Sequence, residues 1–146
     1  MRPGVLHFIT VTFLMSIPFA AADDFPPPDK KIERKTITGH LLNVQQGDYY
    51  HASVRTAQGD EESFFVDDEI CFLSAHRKEG MVITYDKLMR YFPEGLNYYP
   101  ANIIQSISTS TERKRWDRSV DTTPNPVQWR ECANDLLTLS KDHRGP

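Results

Sequence analysis

Short runs of apolar and β-branched residues alternate with turn-forming residues between positions 36 and 108. The runs predict five strands, at residues 36–44, 49–56, 63–66, 81–85 and 101–108. Glycine-containing segments at residues 45–48 and 57–61 predict the first two turns. Residues 67–80 begin with acidic side chains, carry four apolar residues in the middle and end in glycine, which predicts a short helix capped near Gly80.

Three strands, a short helix and two more strands follow the order of a small five-stranded antiparallel OB-like barrel, a mainly β fold. The motifs that carry this resemblance are Ile37-Thr38-Gly39 at the start of the first strand, the glycine turns, and Gly80-Met81-Val82-Ile83-Thr84-Tyr85. Between Ile37 and Ile107 the chain therefore resembles OB-fold domains of exported bacterial proteins. An SH3-like barrel is the closest competing architecture.

A second pattern begins after residue 108. Residues 109–124 are charged and predict a linker. Asn125 and Pro126 then match the N-cap and first position of a helix. Apolar residues recur three and four positions apart over residues 125–146, which predicts a C-terminal amphipathic helix that packs on the barrel.

The first 22 residues have the composition of a secretory signal peptide: Arg2, then an apolar run, then small residues before Asp23. The run is too short for a transmembrane anchor, so we expect no membrane insertion after cleavage near Ala22 and a periplasmic or secreted protein. Residues 23–34 contain three consecutive prolines and predict an extended, flexible lead-in to the domain.

Charge and cysteine content narrow the functional classes. Removal of Arg2 with the leader leaves 16 basic and 20 acidic residues, a net charge of −4, which argues against general nucleic-acid binding. Cys71 and Cys132 are the two cysteines of the sequence. In an oxidising compartment such a pair predicts one disulfide, although two free thiols are the alternative.

The face of the second and third strands is one candidate binding surface. A two-residue turn at Gln46-Gly47 would place Val44 opposite Tyr49, bury Ala52 and Val54, and direct Tyr49, His51 and Arg55 outward. A three-residue loop with Gly59 in the middle would place Phe64 opposite Val54, bury Phe64 and Val66, and direct Phe65 outward. OB folds use this face for oligonucleotides and oligosaccharides, and aromatic rings with an arginine suit either ligand. A half-solvated sheet face without a ligand is the alternative.

The connection between the fourth and fifth strands, residues 86–100, is a second candidate because it is rich in aromatic residues. Its candidate contacts are Arg90, Tyr91, Phe92, Tyr98 and Tyr99. Aromatic residues and arginine are typical anchors of protein interfaces. The same loop could instead fold down as a lid over one end of the barrel.

Catalytic and metal-binding patterns are weak. His40 and His51 would be diagonal neighbours without an evident third ligand, so we expect no metal and no cofactor. The acidic runs at residues 60–62 and 67–69 lack the spacing of a calcium loop, and the basic run at residues 113–118 is interrupted by an acid. We found no G-x-S-x-G, H-E-x-x-H, P-loop or C-x-x-C motif.

These patterns favour an exported, non-enzymatic binding module that engages a protein partner, such as an inhibitor, an immunity protein or an envelope-assembly component. A carbohydrate- or oligonucleotide-binding OB domain is the first alternative, and a small secreted hydrolase is the second.

Overall fold

A computed structural model describes residues 29–118 and 125–142 of the chain. The strands are β1 (Lys30–Gln46), β2 (Tyr50–Thr56), β3 (Glu61–Phe65), β4 (Gly80–Phe92), β5 (Asn97–Ser108) and β6 (Arg113–Arg115). Helix α1 (Ile70–Ala75) lies between β3 and β4, and helix α2 (Pro126–Asp142) follows β6. The predicted signal peptide and the proline-rich part of the lead-in lie outside the described residues.

Five of the strands form a closed ring. Their order across the sheet is β3-β2-β1-β4-β5-β6, and β3 also pairs with β5. All neighbours are antiparallel except β3 and β5, which are parallel and meet at Phe65 and Ile103. A ring of five strands with a helix between the third and fourth confirms the predicted OB-like barrel.

The interior of the ring is filled by the inward side chains of every barrel strand, because alternate residues of a strand point to opposite faces. Val44, Val54, Phe64, Ile83 and Ile107 are fully buried there. Tyr85 packs edge-on against Phe64 with ring centroids 5.0 Å apart. This core holds the strands whose outward residues form the candidate site.

The two helices lie against this core. Asn125 caps α2 as predicted, since its Oδ1 accepts hydrogen bonds from the backbone N–H groups of Val127 and Gln128. Trp129 meets Tyr50 edge-on at 5.1 Å, and its indole N–H donates to the carbonyl of Asp67.

The predicted disulfide between Cys71 and Cys132 is present and joins α1 to α2 across 61 positions of sequence. Within the described part of the chain, no helix combines the length and hydrophobicity needed to cross a membrane.

Several predicted boundaries are wrong. Residues 30–34 are not lead-in but the start of β1, which pairs with β4 through charged side chains rather than apolar ones. Arg34 donates two hydrogen bonds to the buried carboxylate of Asp86, at 2.7 and 2.9 Å. The expected linker contains β6, which pairs with the end of β5. Helix α1 ends at Ala75, and Gly80 belongs to β4.

The predicted pairing of β1 with β2 is also wrong. Val44 lies opposite Ala52 rather than Tyr49, because the strands are joined by residues 47–49 and not by a two-residue turn at Gln46-Gly47. A β-bulge between Leu41 and Asn43 then shifts the register again farther along β1. His51 is therefore opposite Gln45, and His40 is opposite Arg55, so the two histidines are not diagonal neighbours.

The β2–β3 register differs as well, because five residues, 56–60, rather than three separate the last paired residues, Arg55 and Glu61. Phe64 lies opposite Ala52 and not Val54. The offset is an even number of residues, so each side chain keeps its predicted face. Phe64 and Val66 are buried, whereas Phe65 points outward.

Candidate functional site: an aromatic cleft

Aromatic side chains from four parts of the fold meet outside the barrel. Tyr49 ends the β1–β2 turn, Phe65 ends β3, Phe92 ends β4 and Tyr99 lies near the start of β5. Ring centroids are 5.8 Å apart for Tyr49 and Phe65, 5.2 Å for Tyr49 and Phe92, and 5.3 Å for Phe65 and Phe92. These distances are typical of contacting aromatic pairs. The two candidate surfaces thus share one cluster of rings.

His51 and Tyr99 extend the cluster at its two ends. The His51 ring lies 4.3 Å from Phe65, and the Tyr99 ring lies 6.0 Å from Phe92. Phe92 is buried, whereas Tyr49 and Tyr99 keep 36% and 48% of their surface exposed. The cluster therefore has a buried centre and an accessible rim.

The predicted β4–β5 loop is a hairpin rather than a loop. Strands β4 and β5 stay paired up to Phe92 and Asn97, and a single 3₁₀ turn, Pro93–Gly95, joins them. Cross-strand contacts between the aromatic residues favour this extension, because such pairs stabilise antiparallel strands. Leu96 closes the turn with φ of 47°, a left-handed conformation that leucine rarely adopts.

The hairpin tip is tied to the β1–β2 turn. The hydroxyl of Tyr49 donates a hydrogen bond of 2.8 Å to the carboxylate of Glu94. Gly95 lies directly against Tyr99, since a Cβ atom there would be 3.2 Å from the ring and from its hydroxyl oxygen. These contacts hold the two segments on either side of an open space.

That space is a cleft of about 310 Å³, which we call the aromatic cleft. Its lining residues are Asp48, Tyr49, His51, Phe65, Phe92, Glu94, Gly95 and Tyr99. The volume lies at the lower end of the range for small-ligand sites. It lies where OB folds bind ligands, at the β1–β2 turn, the β2–β3 face and the β4–β5 connection.

The charged side chains among the described lining residues of the aromatic cleft are acidic. A hydrogen bond from its own backbone amide, and then one from Tyr49, lower the pKa of Glu94, so this carboxylate is charged at neutral pH. Burial lowers the pKa of His51, which keeps its imidazole neutral at pH 7. Among the described residues that line the cleft, none is a lysine or arginine.

A larger depression of about 740 Å³, the long groove, continues from the aromatic cleft. The two share Asp48, Tyr49, Phe65 and Phe92. Beyond the shared residues, the long groove is lined by Asp29, Tyr50, Val66, Asp67, Glu69, Leu88, Arg90, Tyr91, Pro93, Ile103, Gln105, Arg118 and Trp129. Outside the barrel, buried Leu88 and Ile103 form a small apolar cluster with Ala101, against which Phe65 packs.

Four of the predicted site residues lie outside the aromatic cleft. Arg55 is at the far end of β2, opposite His40 and Glu61. Arg90 lines the long groove and approaches Asp29, with its Nε 3.5 Å from the carboxylate. Tyr91 and Tyr98 contact each other across the hairpin at 5.5 Å; Tyr91 lines the long groove, and Tyr98 lines neither depression.

Three lining residues were missed from the sequence. Asp48 and Gly95 suggested only turns, and Glu94 lies between Pro93 and Gly95 in an equally turn-like segment. Turn residues beside aromatic residues are a usable signal, because binding residues are often carried on loops positioned by a rigid scaffold.

The described residues contain no group of three or more His, Cys, Asp or Glu side chains that could hold a metal ion.

No protein-family model, curated protein or solved structure matches this chain.

Proposed function

We propose that this protein is an exported, non-enzymatic binding module that engages a protein partner through the aromatic cleft. The observation that carries the proposal is the cluster of rings at the meeting point of the β1–β2 turn and the β4–β5 hairpin. Aromatic side chains with a buried centre and an exposed rim resemble the anchors of protein interfaces. The disulfide and the signal-peptide pattern of residues 1–22 support an oxidising, exported location.

Leu96 adds a second argument for a macromolecular partner. It is 76% exposed and adopts a left-handed backbone at the hairpin tip, beside the cleft. A left-handed conformation at a residue other than glycine costs free energy, and such residues are concentrated at ligand-binding sites. A contact with a partner would account for both features.

Adjacent tyrosines on β5 provide a matched test. Tyr99→Ala removes a ring of the aromatic cleft, whereas Tyr98→Ala removes a ring that does not line it. Wild type and both variants would be immobilised and used to capture proteins from an exported fraction, and the affinity of the captured partner would then be measured. Tyr99→Ala should weaken binding by about 1–3 kcal/mol, as expected for an interface anchor, and Tyr98→Ala should leave it unchanged.

Equal binding by all three proteins would contradict the proposed site. Thermal unfolding of each variant separates a lost contact from a lost fold. Capture of a partner by the wild type tests protein binding, and the difference between Tyr99→Ala and Tyr98→Ala tests whether the aromatic cleft is the binding site.

Carbohydrate binding is the second candidate. Flat rings bordered by carboxylates, which accept hydrogen bonds from hydroxyl groups, also suit a sugar, and OB folds bind oligosaccharides at this position. The same carboxylates disfavour an oligonucleotide because they repel its phosphates. A glycan array probed with wild type and Tyr99→Ala tests the sugar alternative. No observation on the described residues favours the small hydrolase.

A further inference from the structure

The described side chains that line the aromatic cleft carry an excess of negative charge. Asp48 and Glu94 are the acidic residues of its lining, and the lining residues that the structure describes include no lysine or arginine. The guanidinium of Arg90 lies in the adjoining long groove, near the carboxylate of Asp29. The surface therefore favours a positively charged ligand.

The rings strengthen the same preference. The face of an aromatic ring carries partial negative charge and attracts cations within about 6 Å of its centroid. Tyr49 and Tyr99 are the exposed rings, and both border the cleft. The hydrogen bond from Tyr49 to Glu94 holds a ring and a carboxylate together, so that one cation can contact both.

The shape of the aromatic cleft favours a cation carried on an apolar stem. Lysine and arginine carry a charged head on an apolar stem, and such side chains commonly lie along apolar surface with the charge outward. The aromatic cleft offers apolar rings for a stem and two carboxylates for a head. Its volume of about 310 Å³ suits a side chain rather than a folded element.

We propose that the aromatic cleft binds a lysine or arginine side chain of the partner, with the stem against the rings and the cation beside Asp48 and Glu94. This inference rests on the proposed function and specifies the chemistry of the partner. The partner would present the side chain on an exposed loop or an extended segment.

Short capped peptides allow a direct test. The probes are Ac-Gly-Gly-Arg-Gly-Gly-NH₂ and its citrulline counterpart, which has nearly the same shape and no charge; a lysine and acetyl-lysine pair repeats the comparison. Titrations would follow the ring resonances of Tyr49, Phe92 and Tyr99 by NMR. The charged peptides should bind weakly but about three- to tenfold more tightly than their neutral counterparts.

Carboxylate variants locate the interaction. Glu94→Gln keeps an acceptor for the Tyr49 hydroxyl but removes the charge, and it should reduce the preference for arginine over citrulline several-fold. Glu61→Gln, which neutralises an exposed carboxylate on β3 outside the cleft, should not change it. Added salt should weaken the charged peptides and leave the neutral ones unaffected.

Equal affinity for the arginine and citrulline peptides, or ring resonances that neither peptide shifts, would overturn the inference. Either result leaves the proposed function intact if Tyr99→Ala still weakens binding of the protein partner while Tyr98→Ala does not. Sugar binding in place of peptide binding would overturn both.

Discussion

At Gly39, β1 is paired on both sides, with Thr56 of β2 on one edge and Met81 of β4 on the other. A Cβ atom there would lie 2.3 Å from the backbone oxygen of Arg55 and 2.8 Å from a methyl carbon of Val54. Neither atom is the end of a flexible side chain that can move away. The position therefore requires glycine for close packing of the strands.

Gly39→Ala should lower the free energy of unfolding by about 1–3 kcal/mol, because the added methyl group forces β1 and β2 apart. Urea denaturation measures the change. Gly47→Ala is the matched control, since a Cβ atom at that turn position would have its nearest neighbour at 3.8 Å. A loss for Gly47→Ala as large as that for Gly39→Ala would contradict the packing argument.

Arg118 neutralises a carboxylate inside the protein. Glu69 is 1% exposed, and Arg118 hydrogen-bonds to it and to the carbonyl oxygen of Ile104. Burial raises the pKa of Glu69, and the arginine opposes that rise. The ion pair joins the chain after β6 to the start of α1.

Arg118→Ala should destabilise the protein by about 3–5 kcal/mol, because it leaves a buried carboxylate without its partner. Arg118→Ala combined with Glu69→Gln should recover much of the loss by removing the buried charge. Arg115→Ala, at an exposed position on β6, should change stability by less than about 0.5 kcal/mol. Chemical denaturation at pH 7 compares the variants, and a loss unchanged by the added Glu69→Gln would exclude the charge as its cause.

At the level of elements, His76 connects the end of α1 to the turn between β5 and β6. Its Nδ1 lies 2.8 Å from the carboxylate of Glu79, and its Nε2 lies 3.1 Å from that of Glu112. The Phe72 ring packs 4.3 Å from the imidazole. The hydrogen bond to Glu79, followed by the one to Glu112, raises the pKa of His76.

The raised pKa predicts a pH-dependent contribution to stability. The folded state holds the His76 proton more tightly than the unfolded state, so the contribution is complete below about pH 6.5 and is lost as the pH rises through the folded-state pKa. Wild type should therefore exceed His76→Gln in stability most clearly near pH 6, and the difference should shrink above pH 7. Denaturation at a series of pH values measures it.

The pairing of His76 with Glu79 is also lost at low pH. His76 lowers the pKa of Glu79, so the pairing is lost again as the pH falls through the pKa of that carboxylate, below about 4.3. A stability difference between wild type and His76→Gln that does not vary between pH 5 and 8 would contradict the assignment.

The elements also show what sequence patterns could and could not predict. Alternation placed Ala52, Val54 and Phe64 on the buried face, because burial follows a period of two in strands. The start of β1 was missed because cross-strand charges, such as Arg34 with Asp86, hold it rather than apolar residues. The three-residue turn at 47–49 displaced the predicted pairing of β1 with β2, and the bulge near Leu41, which shifts it again, leaves no periodic signal.

The candidate site was predictable in parts and not as a whole. Tyr49, His51 and Phe65 followed from the OB-like order, and Phe92 and Tyr99 from the aromatic composition of residues 86–100. Whether these two groups of residues form one site depends on how far the β4–β5 hairpin extends and on which of its faces meets the β1–β2 turn. Those are long-range properties of the folded chain, which no local pattern encodes.

On the scale of the whole molecule, the disulfide is the covalent link between α1, next to the barrel, and α2, at the end of the chain. Its removal by Cys71→Ser with Cys132→Ser should cost about 4 kcal/mol, because the bridge closes a loop of roughly 60 residues in the unfolded state. Denaturant unfolding of the double variant and of wild type measures the difference. An unchanged midpoint would show that noncovalent packing alone fixes α2.

We predict that protein recovered from the exported fraction carries this bond and lacks residues 1–22. Its intact mass should correspond to a chain that begins near Asp23 and to the loss of two hydrogens relative to the reduced form. Two thiols that react with an alkylating agent in the folded, exported protein would contradict the bond, and a mass that includes the leader would contradict cleavage.

One pair of residues, Phe65 and Ile103, closes the ring between β3 and β5. A junction with so few backbone hydrogen bonds should open more readily than the long ladders on either side, so its amide protons should exchange early with solvent deuterium. The aromatic cleft spans this junction, with Phe65 on one side and Phe92 and Tyr99 on the other. A ligand that contacts both sides would hold β3 and β5 together and slow the opening of this junction. Binding at the aromatic cleft can therefore be followed as slower deuterium uptake along β3 and β5.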